Sequence, residues 1–262
     1  MSPRRRHPDV STWPQLVVAV VNAGPAKDAG LARVGEIGAD LILGQEFGDR
    51  RTARAALLRR RYGVNDGSEP GRSSTPTFYR TASMALVSRR WVRLLGAVLA
   101  GVGAGPSRLK PKGLNLTVLR HRTSRRMVEA SAYHAPASQQ FGRRLALARV
   151  ATQGILRAFG ARRVRIVGGD WNARGKWLDR LMWAAGWTSS DREGGVLRTH
   201  NAQNYDRVYW RRSRNVRFVS HHTIDVGSDH LVKVVTLAIR PRGQRRKGLL
   251  KTVTSAIRRN RR

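Results

Sequence analysis

Short runs that are apolar at every position recur along this chain, and they restrict its fold more than any other feature. Leu16–Val21 reads LVVAVV and Asp40–Gly44 reads DLILG. Successive side chains of a strand point to opposite faces, so a strand with no polar alternation must be covered on both sides. Between these runs Ala26–Gly38 has the makings of a short helix, and Arg50–Arg61 predicts a very basic one. Val164–Val167 repeats the buried-strand pattern and is followed by a helical stretch over Lys176–Ala185. Thr77–Tyr79 and Met84–Val87 predict a hairpin, and Leu114–Leu119 and Met127–Tyr133 a second pair. Val208–Trp210, Val216–Ser220 and Leu231–Ile239 supply the last strands. Gln139–Phe159 carries the clearest helical period. Phe141, Leu145, Ala148, Thr152, Ile155 and Phe159 form its stripe, and Arg143, Arg144, Arg149 and Arg157 lie largely off it. The chain therefore reads as α/β.

At 262 residues this pattern suits one domain, 14–240, between a basic arm (1–13) and a basic tail (241–262). The tail has nine Lys/Arg and no Asp or Glu. The whole chain carries a formal charge of +35, which cannot be neutralised internally and sets up a field that attracts polyanions. An Arg-biased genome or a solubility device would give the same number, so charge alone does not imply an enzyme. The absence of cysteine excludes disulfides, thiolate metal sites and cysteine nucleophiles. No stretch approaches the roughly 20 apolar residues of a spanning helix. After Arg4–Arg6 the run Leu16–Val21 is too short for a secretory signal, so a cytoplasmic protein is expected; a monomer is expected as well. The Gly-rich stretch Gly96–Gly113 is not followed by G-K-[ST] and reads as a loop rather than a phosphate cradle.

Polar residues stand at the ends of the strand runs. Asn22 closes the first, Glu46 follows the second, His134 ends the strand from Met127, and Asp170–Trp171–Asn172 ends the one from Val164. Side chains leaving strands at the same end meet at one rim, where open α/β sheets bind ligands. Asp206 and Asp229–His230 precede strands, and reach that rim if those strands run antiparallel. Each residue has a bland alternative: Glu46 as a loop residue, Asp170 as a helix cap, His134 as a structural histidine. Trp183 and Trp187 suit packing of a helix on a sheet, Trp171 suits the flank of a pocket, and His221 and His222 read as structural. The ordered set carries the information.

The segments GQE (Gly44–Glu46), SAYHAP (Ser131–Pro136), GGDWNAR (Gly168–Arg174), YDRVYW (Tyr205–Trp210) and GSDH (Gly227–His230) resemble the motifs of the endonuclease/exonuclease/phosphatase superfamily. HAP followed by GDWNA and YDRV is most similar to its pancreatic-type deoxyribonuclease branch. The resemblance runs from Leu16 to Ile239. It implies a four-layer α/β sandwich, two packed mixed β-sheets flanked by helices. It also implies a Mg²⁺ or Mn²⁺ ion on Glu46, with Asn22 and Asp229 nearby. Asp170 would orient or deprotonate the attacking water, and Asn172 would donate to the phosphate. His230, held by Asp206, and His134 would share acid–base and phosphate-contacting work, and Arg80 would be a further phosphate contact. The implied activity is hydrolysis of a nucleic-acid backbone, DNA in preference to RNA, by an endonuclease of low sequence specificity. Two departures stand out. The branch's second acidic residue is missing from Gly71–Tyr79, which offers Thr75 and Thr77, with Glu69 offset; its disulfides are missing too. The superfamily also contains phosphatases and lipid phosphodiesterases, and an inactive nucleic-acid binder is a third reading.

Overall fold

The computed structural model describes residues 10–24, 28–48, 50–67, 74–93, 113–135, 152–160, 163–172, 177–200 and 203–243. Among these residues twelve strands are arranged in two six-stranded sheets. The first sheet has the order β11-β12-β1-β2-β4-β3, formed by Val216–Ile224, Val232–Ile239, Gln15–Asn22, Leu41–Gln45, Thr77–Arg80 and Tyr62–Asn65. The second has the order β5-β6-β7-β8-β10-β9, formed by Met84–Arg93, Gly113–His121, Met127–His134, Val164–Asp170, Asp206–Arg211 and Trp187–Ser189. Within each sheet one central pair is parallel, β1 with β2 and β7 with β8, and the other pairings are antiparallel.

Alternate residues of the central strands meet between the sheets. Leu16, Val18 and Val20 of β1 and Leu41 and Leu43 of β2 pack against Val128, Ala130 and Ala132 of β7 and Ile166 of β8. The intervening residues face outwards and are covered too. Ala19, Val21 and Ile42 pack against Leu31, Val34, Ala53 and Leu57, from helices Asp28–Ala32 and Arg51–Arg59 and the 3-10 turn Arg33–Ile37. Val167 and Tyr209 pack against Ile155 of the helix at 152–158 and against Leu178 and Met182 of helix Trp177–Ala184. Cover on both faces is why these strands show no polar alternation. The four layers are helices, sheet, sheet, helices. Trp187 is buried in the outer layer as expected. Trp183 is instead sandwiched between the guanidiniums of Arg192 and Arg212, each 3.7 Å from its ring centroid.

One expected pairing is corrected. Thr77–Arg80 and Met84–Arg93 do not form a hairpin; the turn between them carries the chain from one sheet to the other. Tyr79 and Met84 both face the layer between the sheets, and local sequence cannot say which strand pairs with which. The short edge strands β3 and β9 are not anticipated by the sequence. Residues 96–112 of the Gly-rich stretch, most of the 139–159 helix, residues 1–9 of the arm and 244–262 of the tail lie outside the described residues, while Gly113 begins β6. Among those described, no helix is long and apolar enough to cross a membrane.

The end of β8 depends on two glycines. A Cβ on Gly168 would lie 2.8 Å from both Leu43 and Val20 of the facing sheet, and one on Gly169 would lie 1.7 Å from the Tyr133 carbonyl. That carbonyl belongs to the paired strand and cannot retreat without breaking the β7–β8 ladder. Gly169→Ala is therefore expected to destabilise the fold by at least about 1–3 kcal/mol, the usual penalty of overpacking. Thermal denaturation reads the effect, and an unchanged midpoint would contradict the close approach.

Candidate active site

The two parallel pairs bring four chain segments out at one rim. Asn22 is level with Gln45 across β1–β2, and His134 with Asp170 across β7–β8. β10 runs antiparallel to β8 and places Asp206 opposite Asp170. β12 runs antiparallel to β1, so the loop holding Asp229 and His230 enters at the same end. At this rim Glu46 and Asn172 have φ of 57° and 44°, left-handed values that usually cost side-chain-bearing residues about 1–3 kcal/mol. Both stand one or two residues beyond a strand end, where the reversal turns their side chains back over the rim.

Asp170 is the hub. Its Oδ2 accepts a hydrogen bond from Asn22 Nδ2 at 3.3 Å and lies 3.9 Å from His134 Nε2 and 4.0 Å from His230 Nε2. Its Oδ1 accepts the backbone N–H of Asn172 at 2.7 Å. His134 Nε2 is also 3.8 Å from Glu46 Oε1, whose side chain is half exposed. His230 Nδ1 pairs with Asp206 Oδ2 at 2.7 Å, both groups buried. The Asn172 amide donates to the Ala135 carbonyl at 2.9 Å and keeps a second hydrogen.

Burial and the neighbouring Asp206 charge raise the Asp170 carboxyl to about 6, against the pull of the Asn172 N–H and of His230. His230 moves upwards as well. Burial by itself would lower it, but the hydrogen bond and charge of Asp206 outweigh burial. Near neutral pH the site thus holds a carboxylate close to its protonation point beside an imidazole with a strengthened hold on its proton. Pairs tuned in this way are typical of functional sites.

A sequence profile of the Endonuclease/Exonuclease/phosphatase family matches residues 7–230. The chain belongs to this family. Members of the family are typically hydrolases of phosphodiesters or phosphate esters, and they generally use a divalent metal. Among solved structures, the family protein from Bacteroides vulgatus shares 14% identity, with 87% of this chain and 100% of that one covered and a TM-score of 0.69. D. rerio TDP2 in complex with a single-strand DNA product shares 16% over 85% and 98%, with a TM-score of 0.62. The mannosyl-6-phosphatase of Bacteroides thetaiotaomicron VPI-5482 shares 16% over 86% and 100%, with a TM-score of 0.64. At these identities the likeness is one of fold. No curated protein matches the sequence.

Eight of the nine residues singled out by family resemblance, all but Arg80, stand at this rim. β4 runs antiparallel to β2, with Leu41 level with Tyr79, so Arg80 leaves the first sheet at the opposite end from Glu46. There its guanidinium donates to the Gly38 carbonyl. Arg80 is withdrawn as a phosphate contact. Trp171 does not border the site openly; it is buried between Tyr133 and Tyr209. Where deoxyribonucleases carry a second acid, Thr77 accepts the backbone N–H of Ala132.

Other residues at the rim escape the motif reading. His200 stacks on His230, with centroids 4.4 Å apart, and its Nδ1 meets the Asp229 carbonyl at 2.8 Å. Ser228 donates to the Asn22 carbonyl at 3.0 Å and binds the His230 loop to β1. Arg50 donates to the carbonyls of Ala23 and Gly24, tying the Asn22 loop to the loop after Glu46. Lys233, fully buried on β12, contacts Asp191, Asn204 and the Asp206 carbonyl across the sheets. A histidine near YDRV was a usable signal for His200. Lys233 had none, since its contacts come from distant segments.

The donor chemistry suits a hard divalent cation. A Cβ on Gly24 would meet Asp229 Oδ1 at 2.7 Å and Asn22 Oδ1 at 3.6 Å, so glycine leaves open a cradle lined by two oxygens. Carboxylate and amide oxygens with water are the ligands that Mg²⁺ takes. A second grouping shares Asp229: ligand atoms of His200, Asp229 and His230 lie within 4.8 Å of one another, a nitrogen-rich set better suited to softer metals.

Proposed function

We propose that this protein is a divalent-metal-dependent nuclease of the pancreatic-type deoxyribonuclease branch, a DNA endonuclease of low sequence specificity acting as a monomer. The observation that carries the reading is the convergence on Asp170 Oδ2, with His134 on one side and the His230–Asp206 pair on the other. A phosphodiester is anionic and repels nucleophiles, so hydrolysis needs charge neutralisation, oriented donors and an activated water. Glu46, with Asn22 and Asp229, would hold Mg²⁺ or Mn²⁺, which supplies positive charge next to the phosphate. Asp170, raised towards neutrality, takes a proton from the attacking water. Asn172 offers its free amide hydrogen to a phosphoryl oxygen. The raised pKa of His230 keeps it cationic over more of the neutral range, where it contacts phosphate. His134 serves the leaving oxygen, with the proton work shared between the two imidazoles.

Nucleic acid is favoured over a small phosphate ester by the net charge of +35 and by the basic helix Arg51–Arg59 that follows the Glu46 loop. The HAP, GDWNA and YDRV segments support the deoxyribonuclease branch. Supercoiled plasmid incubated with the protein should be nicked in Mg²⁺ and spared in chelator. His230→Ala should still shift the plasmid band but nick it at least about 10²-fold more slowly, the usual worth of general acid–base help. A protein that leaves every phosphodiester intact in Mg²⁺ and Mn²⁺, or a His230→Ala variant that nicks like wild type, would overturn the proposal.

A further inference from the structure

The layer between the sheets is apolar through the centre of the molecule but changes character where the edges β3 and β5 face each other. There Asn65 donates to Thr117 Oγ1 at 2.8 Å, Asn115 donates to the Thr75 carbonyl at 3.1 Å, and a cleft of about 410 Å³ opens. Asn65, Asp66, Gly67, Arg89, Arg90 and Trp91 line it. This volume falls within the roughly 300–1,000 Å³ of small-ligand sites.

Strand direction places the cleft beside the catalytic rim. β3 and β2 are each antiparallel to β4, so Asn65 and Gly67 emerge at the end of the sheet where Glu46 stands. β5 and β7 are each antiparallel to β6, so Trp91 lies towards the end marked by His134. In each sheet the cleft is two strands away from the centre, or about 10 Å at the usual spacing.

Its charges are unequally committed. Asp66 is paired with Arg54 at 2.5 Å, both buried. Arg90 turns to Glu129 and the Ala158 carbonyl on the outer face. Arg89 is exposed and has no hydrogen-bond or ion-pair partner among the described residues. Trp91, a large aromatic on an edge strand, is 39% exposed. An exposed indole and a guanidinium with no hydrogen-bond or ion-pair partner among the described residues suit a ligand that is flat and anionic.

We propose that this cleft is a subsite for an unpaired nucleotide next to the scissile phosphate, its base stacked on Trp91 and its phosphate held by Arg89. A base within a duplex has both faces covered by its neighbours, so the subsite selects single-stranded or frayed substrate. The proposal rests on the nuclease reading, but its test does not need turnover. Fluorescence anisotropy of a labelled oligothymidylate, measured in chelator, reads affinity alone. Trp91→Ala and Arg89→Ala should each weaken binding about tenfold, in line with the worth of one stacked base, and Trp91→Phe should keep most of it. Hydrolysis of bis(p-nitrophenyl) phosphate, which is too small to reach the cleft, should be unchanged in all three. Wild-type oligonucleotide affinity in Trp91→Ala and Arg89→Ala would overturn the subsite. So would a loss that Phe fails to restore, or an equal loss on the small diester. Failure of wild type to cleave any diester, with the affinity differences intact, would strike the nuclease reading instead.

Discussion

Asp170→Asn should give a protein that is more stable than wild type in chelator and almost without activity. The Asp170 carboxyl is raised to about 6 in the folded chain from an ordinary 3.8, chiefly by burial and then by Asp206. Below the lower value both folded and unfolded states are protonated. Between the two values the unfolded chain ionises while the folded chain resists, so stability falls as pH rises, and it levels off above about 6. A shift of this size corresponds to roughly 3 kcal/mol. Asparagine removes the penalty and keeps an oxygen for the Asn172 N–H. It also turns an amide towards Asn22 Nδ2, which takes back about 1 kcal/mol. The net gain at pH 7–8 is therefore about 2 kcal/mol; it vanishes between about pH 4 and 5, and below that the variant should be about 1 kcal/mol less stable than wild type. Loss of the group proposed to activate water should lower turnover by about 10²–10⁴-fold or more. Thermal melts across pH in chelator, beside a plasmid assay in Mg²⁺, test both halves. A variant less stable than wild type at pH 8, or one that still nicks, would contradict the role given to this carboxylate.

Lys233→Met should produce the largest loss of stability among single substitutions near the site. The ammonium is fully buried, and burial lowers its pKa against the opposing pull of Asp191. It touches Asp191, Asn204 at 3.4 Å and the Asp206 carbonyl at 3.2 Å. Methionine fills similar space and leaves the Asp191 carboxylate buried without its ammonium partner, with Arg207 3.9 Å away. Breaking a buried pair from one side typically costs about 3–5 kcal/mol. The double variant Lys233→Met, Asp191→Asn removes the stranded charge and should recover most of that loss. Activity should not recover with it. The Asp206 backbone has lost its tie to β12, and His230 depends on Asp206 for its orientation. Denaturant melts and plasmid nicking of both variants separate the two effects. Equal recovery of stability and activity in the double variant would reduce Lys233 to a packing role.

Much of the architecture was open to reading in one dimension. Strands covered on both faces must be apolar throughout, which made β1, β2 and β8 visible as Leu16–Val21, Asp40–Gly44 and Val164–Val167. Residues that end such strands can meet, and Asn22, Glu46, His134 and Asp170 do. The conditional placement of Asp206 and His230 was met because β10 and β12 run antiparallel to their neighbours.

The failures have a common origin. The Thr77–Val87 segment has hairpin periodicity, yet its two strands enter different sheets, since a strand's partner is set by burial on its far side and not by its own residues. Arg80 was singled out by family resemblance alone, but strand direction sends it to the other rim. His200, Lys233 and the Trp91 cleft are defined by contacts between segments far apart in the chain. Composition and order thus determined the class of fold, the family and most of the residues that meet at the rim, because each of these follows from local periodicity and short motifs. Which strands are neighbours, which buried charges steady the His230–Asp206 pair and what flanks the rim were decided by tertiary packing. Burial and electrostatic coupling act through space, over distances that the order of residues does not encode.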